Sequence, residues 1–179
     1  MAKQQLAIFD LDSTLIMGDS FRSLILKKMM LRPQLILFLS LRLLRLIDRK
    51  SFAQKSHNAL APLLAKQSFL DSFLVSLESR VNQEVLADAQ DRKKNGQKVI
   101  LISASPHEYV SLFARKLGFD EGHGSNWRND NYQHLYARGK LDFANENFSQ
   151  KSYKWSYAIS DSLSDADLLN SCENHKYWK

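Results

Sequence analysis

Three short apolar runs in this chain each end on a hydroxyl or a carboxylate, and that pattern restricts the fold more than any other feature. Leu6-Ala7-Ile8-Phe9 runs into Asp10, Val99-Ile100-Leu101-Ile102 into Ser103, and Trp155-Ser156-Tyr157-Ala158-Ile159 into Ser160 and Asp161. Unbroken apolar runs of this length suit central parallel strands covered on both faces. Between the last two, Pro106 and Gly118 bracket a helix over 106–117, and residues 119–124 read as a short strand and loop. Strands alternating with helices predict an α/β fold, a parallel sheet with helices on both faces. Ligands in such sheets sit beyond the carboxyl ends of the strands, where Asp10, Ser103 and Asp161 stand.

Residues 18–95 have a different character, with almost no strand pattern, a single glycine and long runs of helix formers. They predict an inserted all-helical cap, with helices at about 19–31, 33–48, 51–60, 68–77 and 80–95 and breaks at Arg32-Pro33 and Ala61-Pro62. Residues 1–17 and 96–179 would then form the α/β core. In the second helix a wide apolar face accompanies Arg42, Arg45 and Arg49, whose spacing places them along one stripe. The apolar stretch is well short of the roughly 20 residues a bilayer span requires, so a buried cap helix with a solvated basic edge is expected, while a place on a membrane surface stays open.

Cys172 is the only cysteine among 179 residues, which excludes an internal disulfide and suggests a reducing compartment. The start, Met1-Ala2-Lys3-Gln4-Gln5, leads at once into an apolar run too short for a signal-peptide core, so a cytoplasmic location is expected. The net charge of +6 favours an anionic partner without choosing among a phosphorylated metabolite, a nucleic acid and an anionic membrane.

The chemistry concentrates at the strand ends. In Phe9-Asp10-Leu11-Asp12-Ser13-Thr14-Leu15 two carboxylates share a tight turn after a buried strand, an arrangement that needs a cation or a proton to balance it. Mg²⁺ suits such a site, since it binds through one or two carboxylates, waters and substrate phosphate. Ser103, beside the N–H groups that open the next helix, is placed for a phosphate oxygen. Lys140 in Arg138-Gly139-Lys140-Leu141 precedes the last acidic strand end, which continues Ser160-Asp161-Ser162-Leu163-Ser164-Asp165. Lys151 is the rival for the lysine position, but lies only ten residues before Asp161 and leaves little room for an intervening helix.

In this order, Asp10, Asp12 and Thr14 (D-x-D-x-T), then Ser103, Lys140, and Asp161 with Asp165 resemble the haloacid dehalogenase superfamily over essentially the whole chain. The resemblance implies a Rossmann-like core and a Mg²⁺-dependent phosphomonoester hydrolase acting through an aspartyl-phosphate. Asp10 would be the nucleophile and Asp12 the general acid. Thr14 and Ser103 would bind phosphoryl oxygens, and Lys140 would neutralise charge. Asp10, the backbone carbonyl of Asp12, Asp161 and Asp165 would serve the metal, with Asp165 binding the ion or its waters.

The helical insert and the Asp12-Ser13-Thr14 sequence are similar to the phosphoserine-phosphatase branch, as is Asp19, where that branch places a glutamate that reads the substrate amine. Ala104-Ser105 and Ala59 depart from it, the first replacing glycines and the second standing where a substrate-binding arginine is expected. The apolar second helix, Arg49-Lys50-Ser51 and residues 125–140 look more like hydrolases found beside polyprenyl-transferases. The expected substrate is therefore a small or lipid-linked phosphate. Nucleic acid is not expected as a partner, although a phosphate- or nucleic-acid-binding module on the same fold, using Asn126-Trp127-Arg128 and Tyr132, is the alternative. The chain ends soon after Asp165, so either the sheet has a short edge or the chain is incomplete.

Overall fold

The computed structural model describes residues 3–179; Met1 and Ala2, at the start of the segment read against a signal peptide, lie outside the described residues. The three expected strands are present as β1 (Gln4–Phe9), β2 (Lys98–Pro106) and β5 (Tyr153–Ser160), with β1 paired in parallel to both of the others. The sheet has six strands in the order β4-β3-β2-β1-β5-β6. Its remaining members are β3 (Glu121–Arg128), β4 (Asn131–Gln133) and β6 (Asn174–Tyr177). All pairs are parallel except the β3–β4 hairpin.

Alternation along the strands divides the core in two. Ala7, Phe9, Val99, Leu101, Tyr157 and Ile159 point to one face, and join α5 (Gln83–Lys94) and α6 (His107–Lys116). Leu6, Ile8, Ile100, Ile102, Trp155 and Ala158 point to the other, under α7 (Arg138–Asn147) and α8 (Ala166–Asn170). A pleated strand imposes period-two alternation along β1 and β2, and in β5 a register shift between Trp155 and Tyr157 puts Trp155 and Ala158 on one face. The alternation makes β1, buried on both sides, the centre of the molecule.

The segment 18–95 forms five helices. The first four are α1 (Ser20–Lys28), α2 (Gln34–Leu43), α3 (Arg49–Leu64) and α4 (Gln67–Glu78). The chain leaves and re-enters the sheet side by side, through a bridge between Ile16 and Val81 and a bond from Met17 N–H to the Arg80 carbonyl. The fifth helix, α5, lies after that return and packs against β1 and β2.

Three local expectations are corrected. Pro62 lies inside α3 rather than ending a helix; it is in the last turn, where only one backbone bond is lost, and the buried Leu60 and Leu64 hold the turn down. The second helix ends at Leu43, and Arg45 adopts a left-handed conformation with φ 59°. Arg42, Arg45 and Arg49 therefore do not share a helical stripe; Arg49 opens α3 instead and stacks on the Tyr136 ring 3.9 Å away. Finally, the short strand expected at 119–124 extends to Arg128 and turns back as β4.

That hairpin receives the insert. The buried His57 of α3 bonds both oxygens of Glu108 on α6, at 2.9 and 3.0 Å, and faces the Tyr132 hydroxyl at 3.4 Å. Tyr132 is itself buried and packs on Trp127, and Arg128 lies over the Phe143 ring. The aromatic and basic residues read as a nucleic-acid stacking surface are thus engaged in packing the insert and α7 against the sheet.

Candidate active site

The end of β1 delivers Asp10 to the carboxyl edge of the sheet, and the next residues fold back tightly. Ser13 takes φ 58° and Gly18 φ 73°, and Ser13 N–H bonds the Gly18 carbonyl. Positive φ is inexpensive at glycine, so Gly18 closes the loop that carries Asp12 and Thr14. Thr14 is buried: its hydroxyl donates to Asp10 Oδ2 at 3.3 Å and accepts from Asp161 N–H at 2.9 Å. One hydroxyl thus ties the end of β1 to the end of β5.

Of the two candidate lysines, Lys140 is the one that reaches Asp10. Its ammonium donates to Asp10 Oδ1 and to Asp165 Oδ2, both at 2.6 Å, and all three side chains are buried. Lys151 is exposed in the turn before β5. Lys140 reaches inward because α7 begins under strain, with Ala137 at φ 50°, and because Gly139 rests on the His134 carbonyl. A Cβ on Gly139 would meet that oxygen well inside van der Waals contact. Gly139→Ala is expected to lower unfolding free energy by about 1–3 kcal/mol, measured by urea denaturation; an unchanged midpoint would show that the turn gives way freely.

Asp165 is held further by the Ser160 hydroxyl at 2.7 Å. Asp12 has its own cradle. Its Oδ1 accepts from the Ser20 N–H at the start of α1, while its Oδ2 accepts from the Ser105 hydroxyl at 2.6 Å and the Ser103 hydroxyl at 3.2 Å. The Ser20 hydroxyl then links Ser105 to the Tyr109 hydroxyl. Asp19 stands at the exposed N-cap of α1, where it accepts from Arg22 N–H at 2.7 Å.

Ser20, Ser105, Ser160 and Tyr109 were not among the sequence candidates. Ser105 and Ser160 adjoin the strand-end motifs and were visible as hydroxyls there, but nothing local marks which carboxylate each would hold. Ser20 and Tyr109 show no signal of their own.

The electrostatics show an excess of negative charge. Burial pushes the Asp10 carboxyl up to about 7; Lys140 pulls it down, and the charges of Asp165 and Asp12 add to the rise. Partial desolvation at the edge of the sheet also raises Asp161, with Lys140 opposing and Asp165 and Asp12 contributing. Lys140 is held above its ordinary value: burial works against its charge, but Asp10 and Asp165 outweigh it. One buried ammonium thus serves a neighbourhood of four carboxylates.

Among the described residues no three His, Cys, Asp or Glu side chains form a ready metal cage. The donor set nonetheless fits Mg²⁺, which takes one or two carboxylates and fills its octahedron with water and substrate oxygens. Asp10 and the exposed Asp161 supply hard oxygens at adjacent strand ends, and the uncompensated charge calls for a cation. Asp165 is committed through Oδ2 to Lys140 and Ser160.

A model of the haloacid dehalogenase-like hydrolase family matches residues 7–170. No curated protein matches by sequence. A protein of unknown function from Bordetella pertussis Tohama I is 18% identical, with a TM-score of 0.77 over 97% of this chain and 89% of that one. A phosphoserine phosphohydrolase-like protein from Francisella tularensis subsp. tularensis SCHU S4 is 17% identical, with a TM-score of 0.63 over 97% and 95%. A phosphoserine phosphatase described as a phospho-aspartyl intermediate analogue is 14% identical, with a TM-score of 0.60 over 97% and 86%. At these identities the solved structures establish likeness of fold.

Proposed function

The chain belongs to the haloacid dehalogenase-like hydrolase family, and from that premise we propose that it is a Mg²⁺-dependent phosphomonoester hydrolase using Asp10 as nucleophile. The observation that carries this reading is the buried Lys140 clamped between Asp10 and Asp165 at the carboxyl edge of the sheet. A carboxylate so placed, with a cation beside it and a hydroxyl on its other oxygen, is oriented for attack and shielded from water.

In the first step an Asp10 oxygen attacks phosphorus, the bond to the leaving oxygen breaks, and Asp12 gives that oxygen a proton. In the second, Asp12 takes a proton from water, the water oxygen attacks phosphorus, and the acyl-phosphate bond breaks to return Asp10 and release phosphate. Splitting one displacement into two lowers each barrier. The Ser20 N–H and the Ser105 hydroxyl hold Asp12 in one orientation, which suits a group that must give and then recover a proton. Thr14 and Ser103 turn their hydroxyls from Asp10 and Asp12 to phosphoryl oxygens once substrate is present, and Lys140 neutralises the charge that gathers there. A bound Mg²⁺ would supply the remaining positive charge, held by Asp10, Asp161 and the Asp12 carbonyl, with Asp165 on its waters.

The substrate read from these residues is a small or lipid-linked phosphomonoester, with Asp19 at the mouth as a contact to the leaving group. Burial and the charge of Asp12 raise the Asp19 carboxyl, while Arg22 N–H and Arg49 oppose the rise. Ala59 in α3 and Ser105 in β2 tell against phosphoserine itself.

Hydrolysis of a chromogenic phosphomonoester is expected with Mg²⁺ and to fall to background in EDTA, recovering when Mg²⁺ is returned. Turnover indifferent to chelation would overturn the metal assignment. No turnover of any phosphomonoester in a broad screen with Mg²⁺ would overturn the reading.

A further inference from the structure

The outward face of α2 carries the wrong residues for a helix facing water. Leu35 is fully buried and Phe38 is partly so, which fixes the inward side. The opposite positions, recurring at one, three and four residues, are Ile36, Leu37, Ser40, Leu43 and Leu44, and all five are exposed. Leu43 and Leu44 are 74% and 68% exposed and Leu46 beside them 67%; Met30 and Leu31, in the turn between α1 and α2, are also exposed, at 83% and 71%. A helix apolar all round is normally enclosed, and an exposed cluster of this kind marks an interaction surface.

Charge identifies the occupant. From Ser20 to Ile47 there are six basic residues, Arg22, Lys27, Lys28, Arg32, Arg42 and Arg45, and no acidic one. This equals the formal charge of the whole chain, +6, so the rest is balanced. None of the six makes a salt bridge among the described residues, whereas Arg92, Lys93, Lys94, Lys98, Lys116 and Lys176 all do. A second copy of the same surface would bring like charges together. No helix among the described residues is long and apolar enough to cross a membrane. Exposed leucines flanked by unpaired cations instead match an anionic lipid surface, into which apolar side chains sink while arginines meet phosphates.

We infer that the outward face of the helical insert at the end of α2, centred on Leu43, Leu44, Leu46 and Arg45, docks on the surface of an anionic bilayer. The inference is independent of the catalytic reading, because docking needs neither substrate nor turnover.

Vesicle co-sedimentation of the full chain tests it. Binding to equimolar phosphatidylcholine and phosphatidylglycerol at low salt is expected to exceed binding to phosphatidylcholine alone by at least about tenfold, and to weaken as salt is added. Arg45→Gln is expected to weaken binding about fivefold. Leu43→Ser with Leu44→Ser and Leu46→Ser is expected to weaken it by about tenfold or more. Lys151→Gln, the same charge change in the exposed turn before β5, should leave it within about twofold. The two surface sets check each other, and matching thermal melts establish that each folds. Equal binding to both vesicle types would overturn the inference. So would absent vesicle binding, including the case where sedimentation shows a dimer that the leucine variant dissolves, which would mean that a second copy covers the face.

Discussion

Lys140→Met is expected to cost about 3–5 kcal/mol of stability at neutral pH in the metal-free protein and to abolish turnover. The lysine is the common partner of two buried carboxylates, Asp10 and Asp165, each 2.6 Å from its nitrogen. Its removal leaves both without a cation, and methionine fills the volume without replacing the charge. At neutral pH the lysine is ionised whether the chain is folded or not, since folding raises its pKa from an already high 10.5. The pH dependence of the variant therefore comes from the carboxylates. Asp10, already raised by burial, loses the cation that opposed the rise, so its proton is held more readily in the folded state than in the unfolded one and stability falls as pH rises. Urea melts at about pH 5 and about pH 8 are expected to show a distinctly larger deficit at the higher pH. A deficit below about 1 kcal/mol at both would mean that the buried pair contributes no more than a surface one.

Asp10→Asn is expected to lower turnover by at least about a thousandfold while raising metal-free stability. The asymmetry with Lys140 follows from the charge count. Removing the lysine strands two carboxylates, whereas removing Asp10 leaves Lys140 still bonded to Asp165 and reduces the surplus of negative charge. Asparagine keeps an acceptor for the lysine.

The sign follows from the raised carboxyl of Asp10, which moves from 3.8 to about 7 on folding. An acid whose pKa rises on folding carries no penalty below its unfolded value, an increasing one between the two, and the full penalty above the folded value. The variant should accordingly melt a few degrees higher than the parent above pH 7 in EDTA, with the advantage shrinking as pH falls toward 4. Added Mg²⁺ should stabilise the parent more than the variant. A variant less stable than the parent at high pH in EDTA would show that Asp10 is a structural anchor rather than a strained functional group.

Much of this site could be read before any coordinates. Asp10, Ser103 and Asp161 end apolar runs, and a run buried on both faces leaves its first polar residue at the sheet's edge. Lys140 is set apart from Lys151 in the sequence by spacing, by the preceding Gly139 and by a following helical stretch; only the structure places its ammonium between Asp10 and Asp165. The β3–β4 hairpin was half visible, because its residues Asn126-Trp127-Arg128 and Tyr132 have no clean alternation and owe their burial to His57 of the insert.

The sequence by itself determined the central strands, the presence of a helical segment between the first two motifs, and which acids and which lysine candidates lie near strand ends, since all of these depend on local periodicity and on residue type. Only the tertiary structure decided that Ser105 and Ser20 hold Asp12, that Ser160 holds Asp165, and that one face of α2 stays uncovered. The Ser105–Asp12 bond joins residues 93 positions apart and leaves no periodic trace along the chain, while the Ser20 and Ser160 bonds, though only eight and five positions long, depend on how their loops fold over the edge of the sheet.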